Sequence, residues 1–241
     1  MNDLIVNLLA SVIAGVAVWL GQRLLRHRRV ALRRSFFGVE RGSDVVFFVS
    51  RHASSNRPHS VHKTDVAALL EIATAIKEVG GRPTLVTPGE HAPESGKFTE
   101  YCVGGPTTNP RTAAYLRSSL PGVRADFDGA PEELAFWIGD ECYRRQPGIE
   151  EFALLARITH PTSGRPVFLV VGQVAPANLG VARYLVDNVP ALRKTVGVKA
   201  DFCLVLRVRE PGELGHGLVE LVANRSTDAF QPALSAADQP L

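Results

Sequence analysis

The stretch that decides the fold is residues 44–87, DVVFFVSRHASSNRPHSVHKTDVAALLEIATAIKEVGGRPTLVT. Its first seven residues form an apolar run rich in Val and Phe, which is typical of a buried strand. After a polar loop, Thr64 has the position of a helix N-cap, with Asp65 in the first turn, where a carboxylate suits the helix dipole. Glycines at 80–81 end the helix, and 83–87 is the next strand. The stretch is therefore a β-α-β unit, whose strands we expect to be parallel with a right-handed crossover.

Strands and helices continue to alternate along the chain, and hairpins replace helices towards its end. Further strands are predicted at 101–103, 134–138, 151–159, 166–172, 201–208 and 217–223, and further helices after Asn109-Pro110 and around 178–189. The first helix is expected to bury one face, formed by Val66, Leu69, Leu70, Ala73 and Ile76. This pattern predicts an α/β protein with a Rossmann-like or flavodoxin-like layered fold. Its mixed sheet should be parallel in the first half and antiparallel in the later hairpins.

The N-terminus carries the signal of a membrane anchor. Residues 4–21, LIVNLLASVIAGVAVWLG, contain no charge, and eighteen residues of helix just cross a hydrocarbon core of about 30 Å. Six arginines follow between Arg23 and Arg34, which predicts a single transmembrane helix with the N-terminus outside and the globular domain cytoplasmic. A cleaved signal peptide is the alternative. It is disfavoured because the basic residues follow the apolar stretch instead of preceding it.

Two kinds of partner are expected along this helix. Small or polar residues recur on one face and would let two copies approach closely, giving a homo-oligomer; they are Asn7, Ala10, Ala14, Ala17 and Gly21. The alternative is that alanine and glycine are simply common in membrane helices. The arginines from Arg23 to Arg34 should in addition lie against anionic lipid, each contributing about 1 kcal/mol.

The charge distribution separates the anchor from the rest of the chain. The formal net charge is +3, but the six arginines account for more than this excess, so the remainder is slightly acidic. Nucleic-acid binding is therefore not expected, because it requires clustered basic residues. We divide the chain into an anchor with its basic segment at 1–34, a cytoplasmic α/β domain at 35–223 and a disordered tail at 224–241.

Four loops are expected to form a ligand site, because open α/β sheets bind ligands beyond the carboxyl ends of their strands. These loops are 50–64, 104–109, 139–142 and 172–178. Glycines at 104–105 can bring backbone N–H groups close to an anion, although the segment is neither GxGxxG nor a Walker loop, and a plain turn is the alternative. The predicted ligand-binding residues are Ser50, Arg51, Gly104, Gly105, Asn109, Thr112, Gly172, Gln173 and Asn178.

Two of these loops begin in similar ways. VGGPTTNPRTAAYL at 103–116 and VGQVAPANLGVARYL at 171–185 both run from Val-Gly through an Asn to Ala-x-Tyr-Leu. Asn109 and Asn178 precede their tyrosines by the same step. The two segments are therefore either structurally equivalent strand–loop–helix units or a chance recurrence of a common helix-capping motif.

Candidate catalytic residues are Asp140, Glu141 and His52. The two carboxylates directly follow the strand 134–138 and suit acid–base work, although surface carboxylates are also ordinary there. His52 has the imidazole expected of a base or an acid. His59 and His62 with Asp65 are too few and too weakly patterned to predict a metal site, so we expect no metal and no cofactor.

No motif names a reaction, and three functions remain open at this point. The first is a membrane-anchored cytoplasmic domain that binds a small anionic, nucleotide-like ligand, as a signalling or effector module. The second is an enzyme acting on a nucleotide or nucleoside. The third is a protein-binding scaffold, which is favoured if the four loops do not converge on one cavity.

Overall fold

The apolar runs of the sequence become the central strands of the fold. The computed structural model describes residues 2–57, 59–127, 129–130, 132–209 and 218–232, with the side chains of residues 2–12 left out. The elements are α1 Asn2–Phe36, β1 Asp44–Val49, α2 Lys63–Glu78, β2 Arg82–Val86, β3 Thr99–Val103, α3 Pro110–Ser119, β4 Val123–Asp126, β5 Ala135–Ile138, β6 Glu141–Arg144, β7 Glu150–Thr159, β8 Pro166–Gly172, α4 Ala175–Asp187, α5 Val189–Val196, β9 Phe202–Arg209, β10 Val219–Asn224 and α6 Ser226–Phe230.

Seven strands form one mixed sheet in the order β10-β9-β7-β8-β3-β1-β2. β2, β1, β3 and β8 are parallel to one another, whereas β7 is antiparallel to both β8 and β9, and β10 is antiparallel to β9. This confirms the predicted α/β class and the change from parallel to antiparallel pairing. Residues 210–217, which join β9 to β10 and in which the pair Pro211-Gly212 indicates a turn, lie outside the described residues.

A second, three-stranded antiparallel sheet has the order β4-β5-β6. The sequence prediction found β5 but missed β4, VRAD, and β6, ECYR, because both are short and rich in charge. The strand predicted at 134–138 therefore exists, but it does not belong to the main sheet. The loop that follows it consequently does not lie at the carboxyl edge of the parallel strands.

Side chains of the main sheet alternate between two apolar layers, as the strand period of two requires. One layer joins the sheet to α2, α4, α5 and the end of α1. The other joins it to α3, the small sheet and α6. Phe36 and Phe37, at the end of α1, are fully buried in the first layer, where the Phe36 ring lies 6.2 Å from the Phe168 ring and 6.3 Å from the Phe202 ring. The last turn of α1 is therefore part of the core.

The register of α2 differs from the predicted one. Its N-cap is His62, whose side chain accepts a hydrogen bond from the Thr64 backbone N–H, so the helix begins two residues earlier than expected from Thr64 as cap. Val66 and Leu70 were expected in the core but are exposed. The buried face consists instead of Asp65, Ala68, Ile72, Ala73, Ala75 and Ile76. The helix is turned so that a carboxylate faces inwards and two large apolar residues face solvent.

The structure does not support the membrane anchor predicted at the N-terminus. Among the residues whose side chains are described, no helix is long and apolar enough to cross a membrane. Residues 4–12 of the predicted anchor lie outside that part, and the transmembrane helix, unsupported by the structure, stays a prediction.

At the C-terminal end, β10 reaches Asn224, and α6 follows with Ala229 fully buried, so the tail predicted to begin at 224 is wrong over these residues. Residues 233–241 lie outside the described part.

Candidate functional site

The site lies where the chain leaves β1 and β3 in opposite directions. α2, which follows β1, packs on one face of the sheet, and α3, which follows β3, packs on the other. The loops after these adjacent parallel strands diverge and leave a crevice, which is the usual ligand position in open α/β sheets. A cavity of about 410 Å³ opens there, which we call the carboxyl-edge cavity.

Three of the four predicted loops converge on the carboxyl-edge cavity: 50–64, 104–109 and 172–178. Of the predicted ligand-binding residues and His52, the structure brings together on its lining Ser50, Arg51, His52, Gly104, Gly105, Gly172, Gln173 and Asn178. Asn109 and Thr112 do not line it. The lining also contains Asp65, His62, Thr108, Phe127 and Leu134, which the sequence prediction had not assigned to a ligand site.

The loop after β3, residues 104–109, which we call the glycine loop, is held to the end of β1 by hydrogen bonds of hydroxyl groups. The Ser50 hydroxyl donates to the Val103 carbonyl oxygen at 3.2 Å and accepts from the Thr108 hydroxyl at 3.0 Å. Gly104 has a φ of +107° at this point, and a Cβ built on it would lie 1.7 Å from the Ser50 hydroxyl oxygen. Only glycine therefore fits between the loop and Ser50.

Asn109 holds the glycine loop in place by hydrogen bonds but does not line the cavity. Its side-chain oxygen accepts from the backbone N–H groups of Arg111 and Thr112, as predicted for a helix N-cap. Its amide group donates to the carbonyl oxygens of Phe48 and Val103, both at 3.1 Å. Asn109 therefore joins the ends of β1 and β3 to the start of α3. Thr112 is fully buried within α3 and does not line the cavity, so its assignment as a ligand-binding residue stays a prediction.

Asn178 joins the third loop to α2 in a different way. It lies within α4, where its side-chain oxygen accepts from the Gly172 backbone N–H at 2.6 Å. Its amide group donates to the Asp65 carboxylate at 2.8 Å. The two segments that begin with Val-Gly are therefore adjacent parallel strand–loop–helix units, but only Asn109 caps its helix.

Asp65 is the carboxylate of the cavity lining, and its pKa is perturbed. Its side chain is buried, and removal from water raises its pKa to about 6, a rise that the hydrogen bond from Asn178 only partly opposes. His62 lies nearby, and its pKa is lowered by burial and by the neighbouring His52 and Lys63. The rings of His52 and His62 are 5.2 Å apart. The Asp65 carboxyl group and the imidazoles of His52 and His62 thus line the same cavity.

The charge and shape of the rim favour an anion that carries an apolar or aromatic part. Arg51 is exposed at the rim and brings a permanent positive charge. α4 starts at the cavity with no side-chain cap at Val174, and a helix N-terminus of this kind attracts anions. Phe127 leans over the backbone of Gly105, and with Leu134 it forms an apolar wall.

Gln173 lines the cavity but is held by the protein itself. Its amide group donates to the carbonyl oxygens of Leu134 and Tyr143, at 3.1 and 2.9 Å, and its oxygen accepts from the Phe152 backbone N–H at 2.8 Å. These three bonds attach the small sheet to the main sheet. The residue therefore shapes the wall and offers little to a ligand.

Asp140 and Glu141 lie elsewhere. They border a separate cavity beside Arg225, with the Glu141 carboxylate 3.2 Å from the Arg225 guanidinium. Because β5 belongs to the small sheet, the turn after it does not reach the carboxyl-edge cavity. The prediction that the loop 139–142 joins the site is wrong, and the two carboxylates are not placed to act there.

The histidines considered for a metal are used separately. The His59 ring is hydrogen-bonded to the Pro88 carbonyl at 2.7 Å, and the His62 ring to the Thr64 hydroxyl at 2.6 Å. Over the described part of the chain, no group of three His, Cys, Asp or Glu side chains is arranged to hold a metal ion.

Comparison with family models, with curated proteins and with solved structures finds no match to this chain.

Proposed function

We propose that the domain binds a small anionic, nucleotide-like ligand in the carboxyl-edge cavity, as a signalling or effector module. The observation that carries the proposal is the convergence of the loops after β1, β3 and β8 on this one cavity. The strand order β2-β1-β3-β8 is the start of the flavodoxin-like order, in which the ligand sits at the β1/β3 switch point. This supports the flavodoxin-like variant of the predicted fold.

The lining suggests how such a ligand would be oriented. A phosphate group would lie between the glycine loop, the N-terminus of α4 and Arg51, which together supply N–H groups and positive charge. A base would lie against Phe127, because aromatic rings prefer offset or edge contacts with other flat rings.

We also propose that residues 4–21 anchor the domain in a membrane, with the domain on the cytoplasmic side. The uncharged stretch before the arginines of 23–34 supports this. The face that contains Ala14, Ala17 and Gly21 would pair with a second copy, and the arginines would contact anionic lipid. Extraction of membranes with alkaline carbonate tests the anchor. The full-length chain should stay in the pellet, and its release into the supernatant would refute the anchor but not the ligand site.

A panel of nucleotides and inorganic phosphate, screened by thermal unfolding of the full-length chain in neutral detergent, tests the ligand proposal. A ligand at 100 times its Kd should add about 2.7 kcal/mol to the free energy of unfolding. R51A should weaken binding about tenfold, because a charge-assisted hydrogen bond is lost.

R57A is the matched control for R51A. Arg57 is an exposed arginine of the same loop that does not line the cavity, so its removal should leave the affinity unchanged. No stabilisation by any member of the panel, or equal loss in both variants, would contradict the proposal.

The second candidate is an enzyme acting on a nucleotide or nucleoside. Asp65 favours it, because a buried carboxyl group with a pKa of about 6 in a ligand cavity suits general acid–base work. In this alternative Asp65 and His62 take the roles expected of Asp140 and Glu141. Turnover of a bound nucleotide that D65N abolishes would select the enzyme. Binding without turnover selects the signalling module.

A further inference from the structure

A second cavity, at the opposite edge of the sheet, is lined by an excess of cations. It has a volume of about 470 Å³ and lies between the last turns of α1, the turn before β8 and the segment before β9. Four basic residues line it, Arg34, Arg157, Arg165 and Lys199, against one acidic residue, Glu40. We call it the basic cavity, and we propose that it binds a phosphate group of a phosphorylated ligand.

Arg157 is the residue that points to an anion. Its side chain is only 5% exposed, and a buried cation is costly unless it is fully paired. Its Nη1 donates to the carbonyl oxygens of Lys199 and Ala200, and the Asp201 carboxylate is 3.6 Å away. Its buried Nε has no hydrogen-bond partner among the described residues. Arg157 thus forms part of the wall of the basic cavity while one N–H of its guanidinium is buried without a partner.

The other cations complete a phosphate-binding set. In the described part of the chain, neither Arg165 nor Lys199 forms an ion pair. The Nε of Arg34 donates a hydrogen bond to the Val79 carbonyl oxygen at 2.7 Å. Ser163 and Gly164 belong to the turn that closes the cavity and bring a hydroxyl group and backbone at its mouth. A phosphate oxygen accepts charge-assisted hydrogen bonds from guanidinium and ammonium groups, and it would compensate the charge of Arg157.

The position of the basic cavity allows two sources for this phosphate. Ala31 and Ser35 of α1 form part of its wall, so it lies at the end of the helix whose first half we propose to be the anchor. A lipid headgroup is one source, because basic pockets beside membrane helices bind such headgroups. A soluble phosphate ester is the other. Both present the same chemistry to Arg157, Arg165 and Lys199.

The test measures phosphate binding to the full-length chain in two arms, both in the R51A background so that the carboxyl-edge cavity contributes little. The soluble arm titrates glycerol 3-phosphate and inorganic phosphate into the chain in neutral detergent, followed by ³¹P NMR. The lipid arm compares thermal unfolding in nanodiscs of phosphatidylcholine, alone or mixed with phosphatidylglycerol. R165Q/K199Q removes two cavity cations, and R117Q/K194Q removes two exposed bases outside the cavity as the control.

Binding in either arm that R165Q/K199Q weakens about tenfold, with R117Q/K194Q unchanged, supports the proposal. The arm that responds identifies the source: a response to glycerol 3-phosphate indicates a soluble ester, and a response to phosphatidylglycerol alone indicates a lipid. Absence of binding in both arms overturns the proposal. So does binding that the two double variants reduce equally, because it then reflects overall charge and not the basic cavity.

Discussion

Replacement of the buried Asp65 carboxylate by an amide should stabilise the protein at neutral pH. The pKa of Asp65 is raised to about 6 in the folded protein, from an ordinary value near 3.8. Between these two pH values the folded state holds a proton that the unfolded state has released. The free energy of unfolding of the wild type therefore falls as the pH rises through this window, and it stays reduced above it.

The size of the effect follows from the pKa shift. A shift of one unit corresponds to about 1.36 kcal/mol, so Asp65 lowers the stability above its folded pKa by about 3 kcal/mol. D65N has no charge to bury, and its side-chain oxygen can still accept the hydrogen bond from Asn178. The stability of D65N relative to wild type should consequently rise by about 3 kcal/mol between about pH 4 and about pH 7.

Urea unfolding of both proteins at a series of pH values, under identical detergent conditions, measures this difference. D187N is the control, because Asp187 is an exposed carboxylate at the end of α4 and should not reproduce the change. A difference between D65N and wild type that does not vary with pH would refute the reasoning. A loss of stability in D65N at about pH 7 would show that the carboxylate is instead well paired.

Three further predictions concern the glycine loop, the core and the residues excluded from the site. G104A should lower the stability by about 2 kcal/mol and abolish ligand binding, because Gly104 has a positive φ and an added Cβ would displace the Ser50 hydroxyl; unfolding and binding assays measure both. F36A should cost about 3–5 kcal/mol in chemical unfolding, since Phe36 is fully buried; a cost below about 1 kcal/mol would contradict its place in the core. D140N and E141Q should leave ligand affinity unchanged, and a tenfold loss in either would return these carboxylates to the site.

The sequence predicts the parallel half of the sheet well because local signals and tertiary structure agree there. β1 is an uninterrupted apolar run that is buried on both faces, as its composition requires. Asn109 and Pro110 form the helix start that their order indicates. The loops after β1, β3 and β8 therefore meet at one edge, and most of the cavity lining follows from the order of the elements.

Asp65 shows what local reasoning does not reach. Near the start of a helix, a carboxylate is expected to face solvent and interact with the helix dipole. It is buried because Asn178, 113 residues further along the chain, packs α4 against α2 and donates to it. No periodicity within α2 carries that information, since the large apolar side chains of Val66 and Leu70 would have favoured the other rotation of the helix.

The misplacement of Asp140 and Glu141 has a similar origin. The run LAFWI resembles a central strand, and its true partners, β4 and β6, are only four residues long and contain two charged residues each. β5 pairs with the segments directly before and after it in the chain, and because their own strand signals are weak, the run alone does not reveal the small sheet.

NMR titration of the isotope-labelled chain with the nucleotide that stabilises it most tests ligand binding in the carboxyl-edge cavity directly. We predict that the largest shifts fall on the backbone amides of Gly104, Gly105 and Ala175, with smaller ones at Asp65. Shifts confined to other surfaces, such as the cavity beside Arg225, would contradict the account.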